Sequence, residues 1–269
     1  MVEELAKDKS PHGAFAPHAR RLIEAAAPFV LLAACWQLGS LFFPKYLFPS
    51  LVDVLWHTLD IFATWSQLAE VLATFARILG GLVGAFVIGG VLATLMARSP
   101  PVDRFLAPIL NFFQGIPALS WVVFAVIWFH GIELRIFFIM IVTSLPAFTF
   151  QVLGALRAIS KDLAEMVLSF RPTRRKMFSA LILPSIVGDI LTAWKVNLGN
   201  ASRVVVVAEL VGATGGIGYE LLQQQQIFDM AGALAWTLQL VLFVLVTQQV
   251  IAFIELRAFR YRAVSERAL

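Results

Sequence analysis

The sequence predicts an all-α, polytopic membrane protein with six transmembrane helices, and three observations carry that prediction. First, the chain of 269 residues is 59% hydrophobic and only 14% charged, with a mean hydropathy of +0.82. A soluble domain holds about 45–50% apolar residues. Second, the apolar runs are continuous, as a helix needs when ~20 residues must cross ~30 Å of hydrocarbon. A β-barrel would alternate in segments of ~10 residues. Third, the basic residues gather in connections on one side, so the formal charge of +4 reads as membrane topology rather than nucleic-acid binding.

The runs fall at about 22–43, 68–97, 105–129, 134–156, 181–211 and 230–256. The first twenty residues carry Pro, His and charge without an apolar core, so no cleavable signal is expected and the first run is an uncleaved anchor. The single cysteine, Cys35, lies in that run and reads as a buried, inert thiol. Residues 47–66, with Pro49, Trp56 and Trp65, are too short and interrupted to cross and read as an interfacial helix. The second and fifth runs are long enough to tilt or to extend beyond the lipid. Gly115 and Pro117 predict a kink or break inside the third.

Sixteen of the 21 Lys and Arg residues lie in the N-terminal tail, after the second and fourth runs, and in the C-terminal tail. The opposite connections hold only Lys45 and Arg135. Basic residues mark the cytoplasmic side, which places both termini there and requires an even number of spans. The expected organisation is a cytoplasmic tail at 1–21, a membrane domain at 22–256 and a second cytoplasmic tail at 257–269. The lipid bilayer is thus an expected partner.

The densest basic cluster, Arg171, Arg174, Arg175 and Lys176, sits in the largest cytoplasmic connection. Upstream of it, Ile159, Leu163, Met166, Val167 and Phe170 form one helical stripe, with Lys161, Asp162 and Glu165 off it. Ser160 is placed to cap this helix and Pro172 to end it. So short a helix is marginal alone and must dock on a membrane surface or a soluble partner. The basic residues behind it serve topology, a partner, or both.

From Glu165 to the terminal Leu181-Ile182-Leu183-Pro184, this segment resembles the EAA loop of permease subunits of bacterial ABC importers. "LFPS" at 47–50, "GIPALSWVVFAVIWFHG" at 115–131 and "VAELVGATGGIGYEL" at 207–221 resemble the sulfonate/nitrate/taurine-type branch. The similarity runs from about residue 40 to about residue 260. It implies a type I ABC importer permease fold, with a coupling helix at 159–172 seated on a cytoplasmic ABC ATPase dimer. Asp162, Glu165, Ser169, Arg171 and Arg174 are the residues implied for that coupling. It also implies a second permease copy (a homodimer) and a soluble substrate-binding protein, periplasmic or lipid-anchored. Two features depart from the pattern: Met166 and Val167 stand where it has alanines, and Arg171 stands where it has glycine.

The chain has no G-x-x-x-x-G-K-[ST] phosphate loop. It is therefore expected to be non-catalytic and to hold no cofactor or metal, with ATP and Mg bound by the partner ATPase. Charges inside a membrane are expensive and face water or a partner. The fifth run holds Asp189, Lys195, Asn197, Asn200, Ser202, Arg203 and Glu209. Lys195, Asn200 and Arg203, with Gln114 at the break of the third run, are read as lining a solute pathway. For Arg203 two readings stand: a guanidinium fork for anion oxygens, or an internal ion pair with Glu209 or Asp189. Asn197 and Ser202 can equally join helices. Arg77 is read mainly as a snorkelling structural residue. Glu209, Gly215 and Gly216 are read as parts of an outer gate.

The expected function is import of a small, anionic solute such as a sulfonate, taurine or nitrate, driven by ATP. The alternative is an ATPase-independent secondary transporter or channel, for which paired broken spans and inverted repeats would speak. A third reading, an intramembrane enzyme, needs a nucleophile–base pair or metal ligands on facing helices, and no His-x-x-x-His, Gly-x-Ser-x-Gly or Asp pair in the spans speaks for it.

Overall fold

The computed structural model describes residues 16–258. The charged tails, with Lys7, Lys9, Arg260, Arg262 and Arg267, lie outside them. All regular structure among the described residues is helical: α1 (Ala16–Phe42), α2 (Leu51–Ala63), α3 (Trp65–Arg98), α4 (Pro100–Gly115), α5 (Ala118–Trp128) and α6 (Ile132–Arg157). There follow α7 (Lys161–Ser169), α8 (Arg174–Met177), α9 (Leu183–Leu210), α10 (Ile217–Gln226) and α11 (Met230–Ala258). A π-turn over Phe178–Ile182 joins α8 to α9.

Four segments are long and apolar enough to cross a membrane: α3, α6, α11 and the continuous stretch Arg174–Leu210. The pair α4–α5 is a fifth, bent by 92°. The apolar stretch Ala26–Phe42 of α1 is shorter. The six sequence runs fall at these places, but by length and composition the described residues give four spans, or five with the bent pair, against the six expected.

The core is α3 packed along α6, with α9 on α6 beside it. Gly81, Ala85, Gly89 and Ala93 put a small residue on successive turns in the middle of α3, and all four are buried. A methyl group at Gly81 would lie 2.6 Å from the Cβ of Met140, so the two backbones approach as closely as glycine allows. Helices in lipid associate through such packing, because the tails offer no hydrophobic drive. Ile78, Leu82, Ile136, Met140, Phe148, Leu198 and Val205 fill the space between the three helices.

Each break has a local cause. Pro117 follows Ile116 (φ −80°, ψ 126°), which is held in the extended region that a residue before proline prefers. The Phe113 and Trp121 rings then stack across the corner at 5.4 Å. Before Pro184 the backbone widens, with Leu183 N–H bonding to Phe178 O, five residues back. Proline lacks an N–H and crowds the preceding turn, and the π-turn makes room for it.

Within 47–66, where an interfacial helix is expected, the structure has α2, capped by Ser50, whose hydroxyl accepts from Asp53 N at 3.2 Å. Thr64, extended at φ −100° and ψ 113°, separates it from α3. Cys35 differs from expectation: it is exposed. The contacts of α1 with the bundle among the described residues gather near its C-terminal end, where Trp36 Nε1 donates to Pro49 O at 3.0 Å and Gln37 Oε1 accepts from Leu51 N at 3.2 Å.

Candidate functional site

Three features carry chemistry beyond packing, and the first is a polar clamp at the end of the bundle where α9 turns into α10. The first N–H groups of a helix have no partner within it. For α10 other helices supply the partners. Gly216 N donates to Glu70 Oε2 at 2.6 Å, Ile217 N to Thr74 Oγ1 at 2.8 Å, and Gly218 N to Glu209 Oε2 at 2.9 Å. Glu70 and Thr74 are one turn apart on α3, and Glu209 is in the last turn of α9. Thr74 also donates to Glu209 Oε1 at 2.9 Å.

Glu209 is 1% exposed, and a buried carboxylate needs a countercharge. Arg77, one turn beyond Thr74, supplies it: Nη1 donates to Glu209 Oε1 at 2.8 Å and to Gly215 O at 3.1 Å. The other edge of the same guanidinium binds the more exposed Glu133 of α6, with Nη2 2.6 Å from Oε1. Arg135 closes the turn from α6, donating to Gly212 O at 3.1 Å and to Phe129 O at 3.3 Å. Gly216, at φ +106°, has no room for a methyl group between Glu209 and Arg77. One at Gly218 would lie 2.5 Å from Val206 O. The glycine run is therefore a consequence of carboxylates pressed against backbone. On α10, burial and then the neighbouring Glu70 push the Glu220 carboxyl above its ordinary range.

The second feature is one face of α9. Asp189, Thr192, Val196, Asn200 and Arg203 are exposed, and at ~100° per residue they share an arc of roughly 80°. Arg203 makes no ion pair among the described residues, while Arg77 and Lys195 both do. Neither carboxylate considered for Arg203 is its partner, since Glu209 belongs to Arg77. Lys195 lies at the edge of this face and binds Glu255 of α11 at 2.5 Å. Asn197 points the other way, buried, and donates to Gln151 Oε1 of α6 at 2.6 Å, so it joins helices. Ser202 is also buried and donates to Leu198 O of its own helix. Gln114 is exposed at the α4–α5 corner.

The third feature is α7, in which no residue is buried. Leu163, Met166 and Leu168 are about half exposed, and Phe170 more so. Asp162, Glu165, Arg171 and Arg174 are exposed, and Ser169 donates to Met166 O within the helix. Ser160 occupies the N-cap position without a side-chain hydrogen bond. The helix runs from 161 to 169, shorter than the expected 159–172. It ends at Arg171, which adopts φ +47° with its N–H on Leu168 O at 2.9 Å. That left-handed terminal position favours glycine, the residue the family pattern has there, so Arg171 keeps the turn beside the stop at Pro172.

The structure is thus a helical bundle with a broken span, a polar face on one spanning helix and an amphipathic helix in which nothing is buried. Residues 85–260 match the model of the binding-protein-dependent transport system inner membrane component, and the chain belongs to that family. It is 27% identical over 221 residues to the formylaminopyrimidine transport permease protein ThiX of Halalkalibacterium halodurans, covering 80% of this chain and 88% of that one. It is 29% identical over 156 residues to the taurine transport system permease protein TauC of Escherichia coli, covering 58% and 55%. The bicarbonate transport system permease protein CmpB of Synechocystis is 24% identical over 56% of this chain and 54% of its own. An inward-facing structure of the MetNI methionine ABC transporter shares the fold, with a TM-score of 0.63 and 20% identity over 72% of this chain and 97% of that one. The chain is a permease subunit of an ABC importer.

Proposed function

We propose that this permease moves a small anionic solute across the bacterial cytoplasmic membrane, between two copies of the chain, under the control of a separate ATPase dimer that grips α7. The observation that carries the reading is the uncovered state of α7. A nine-residue helix with an exposed apolar edge and no buried residue is too short to persist unaided, so a partner must cover it. The basic segment that follows supports a cytoplasmic location, with both termini on that side. Asp162, Glu165, Ser169, Arg171 and Arg174 then face the ATPase.

The continuous helix from Arg174 to Leu210 gives movement of α7 a rigid route to the α9 face. On that face Asn200 and Arg203, with Lys195 at the edge and Gln114 at the α4–α5 corner, line the pathway in this reading. Among the described residues Arg203 pairs with no carboxylate, which supports a water path and an anion. A soluble binding protein delivers solute at the far side, where Glu209, Gly215 and Gly216 belong to the outer gate. ATP acts only by stabilising one of two states over the other.

The test is uptake by proteoliposomes holding the permease, its ATPase and its binding protein. Glu165→Arg is expected to leave insertion intact and to separate ATP hydrolysis from uptake. Unaltered coupling would refute the docking role. Arg203→Gln is expected to lower anion uptake with hydrolysis retained, and unchanged uptake would remove Arg203 from the pathway.

A further inference from the structure

We infer that α2 is a lipid-docking element whose outward apolar face rests in the outer-leaflet interface, against zwitterionic headgroups and the upper acyl chains. The helix has three faces. Val54, Thr58 and Ile61 are buried, at 3–7% exposure, against α3 and α11. Val52, Leu55, Trp56, Leu59 and Phe62 are 49–69% exposed. Asp53, His57 and Asp60 form the third group. At ~100° per residue the exposed apolar stripe lies roughly 130° from the buried one and roughly 130° from the polar one.

A helix resting only on protein needs one apolar face, and one standing in water would not carry five large apolar groups on a second. A polar face, a protein face and a separate apolar face together fit a helix at a lipid–water boundary. Its thirteen residues span ~20 Å, too short to cross ~30 Å of hydrocarbon. Thr64, in extended conformation, stops it from continuing the α3 span. Trp56, and Trp65 just beyond the break, are 69% and 74% exposed, and tryptophan concentrates at membrane interfaces.

The polar face decides which lipid. Asp53 and Asp60 are acidic, and Lys45 already sits 3.4 Å from Asp53. That face repels anionic headgroups, so zwitterionic lipid suffices. This inference needs no solute, ATPase or direction of transport.

The experiment uses the full chain in nanodiscs of phosphatidylcholine alone, in a Cys35→Ser background. Spin labels are placed through V52C, L55C, L59C and D60C. Collision rates are measured with oxygen, which partitions into lipid, and with a water-soluble nickel chelate. Labels at 52, 55 and 59 are expected to favour oxygen, and the label at 60 to favour the chelate. Chelate preference at 55 and 59 would overturn the proposal in favour of a water-facing surface. Protection of both from either reagent would overturn it in favour of cover by a second copy or another protein. Unlabelled protein gives an independent reading: lipids brominated near the headgroup should quench wild-type fluorescence more than that of Trp56→Phe. Equal fractional quenching would refute contact at Trp56.

Discussion

Arg77 holds two carboxylates in very different surroundings, so removing each charge in turn separates burial from proximity. The Glu209 side chain is 0% exposed and that of Glu133 is 60% exposed, both against a guanidinium at 12%. Breaking a buried pair costs about 3–5 kcal/mol, because the remaining charge is left unsolvated. Glu209→Gln belongs at the lower end, ~3 kcal/mol, since Arg77 keeps Glu133 and Gly215 O. Glu133→Gln gives up a contact of the surface kind, worth at most ~1 kcal/mol. A chain of this size shifts by about 2–4 °C per kcal/mol. Thermal unfolding in detergent, followed by tryptophan fluorescence, should therefore show a loss of roughly 6–12 °C for Glu209→Gln and under ~4 °C for Glu133→Gln. In the double variant the two effects should couple through Arg77 rather than add. Equal losses, or a larger one at Glu133, would mean that the clamp is not held through the buried carboxylate.

Other expectations follow from the same geometry. Gly216→Ala should fail to give a stable chain or lose more than ~3 kcal/mol, whereas Gly154→Ala, with open space around its Cβ, should be neutral or stabilising in the same thermal assay. Arg171→Gly should steady the end of α7 by about 1 kcal/mol, read as slower amide exchange over 161–171; faster exchange would refute the left-handed stop. The Glu220 carboxyl is raised by burial first and by Glu70 second, so its folded pKa exceeds the unfolded one. The folded state then binds the proton more tightly, and stability falls as pH rises from near the unfolded value through the folded one. Glu220→Gln should flatten that part of the curve of Tm against pH, and an unchanged slope would exclude Glu220 as its source.

The membrane helices were legible because hydropathy and breaker residues act locally. Pro117 reports its own restriction on Ile116, and Pro184 its own missing N–H, wherever the rest of the chain goes. The clamp was not legible in this way. Glu70, Thr74 and Glu133 stand 146, 135 and 76 residues from Gly216, Glu209 and Glu209, and no period links them. A signal did exist, since Glu70, Thr74 and Arg77 recur at helical spacing on one side of an otherwise apolar span. Arg203 shows the converse: its exposure on α9 was readable from period and cost, but its lack of an internal partner needed the packed structure.

The wide turn at Phe178–Ile182 also sets a rotational phase. An α-helix advances ~100° per residue, and a π-turn accommodates one residue more than the α-helical ladder would. Deleting one residue there, together with replacing Pro184, would restore regular winding and swing α7 about a quarter-turn around the α9 axis. The azimuth at which the far end of this lever presents itself is thus written in a five-residue turn between the two helices.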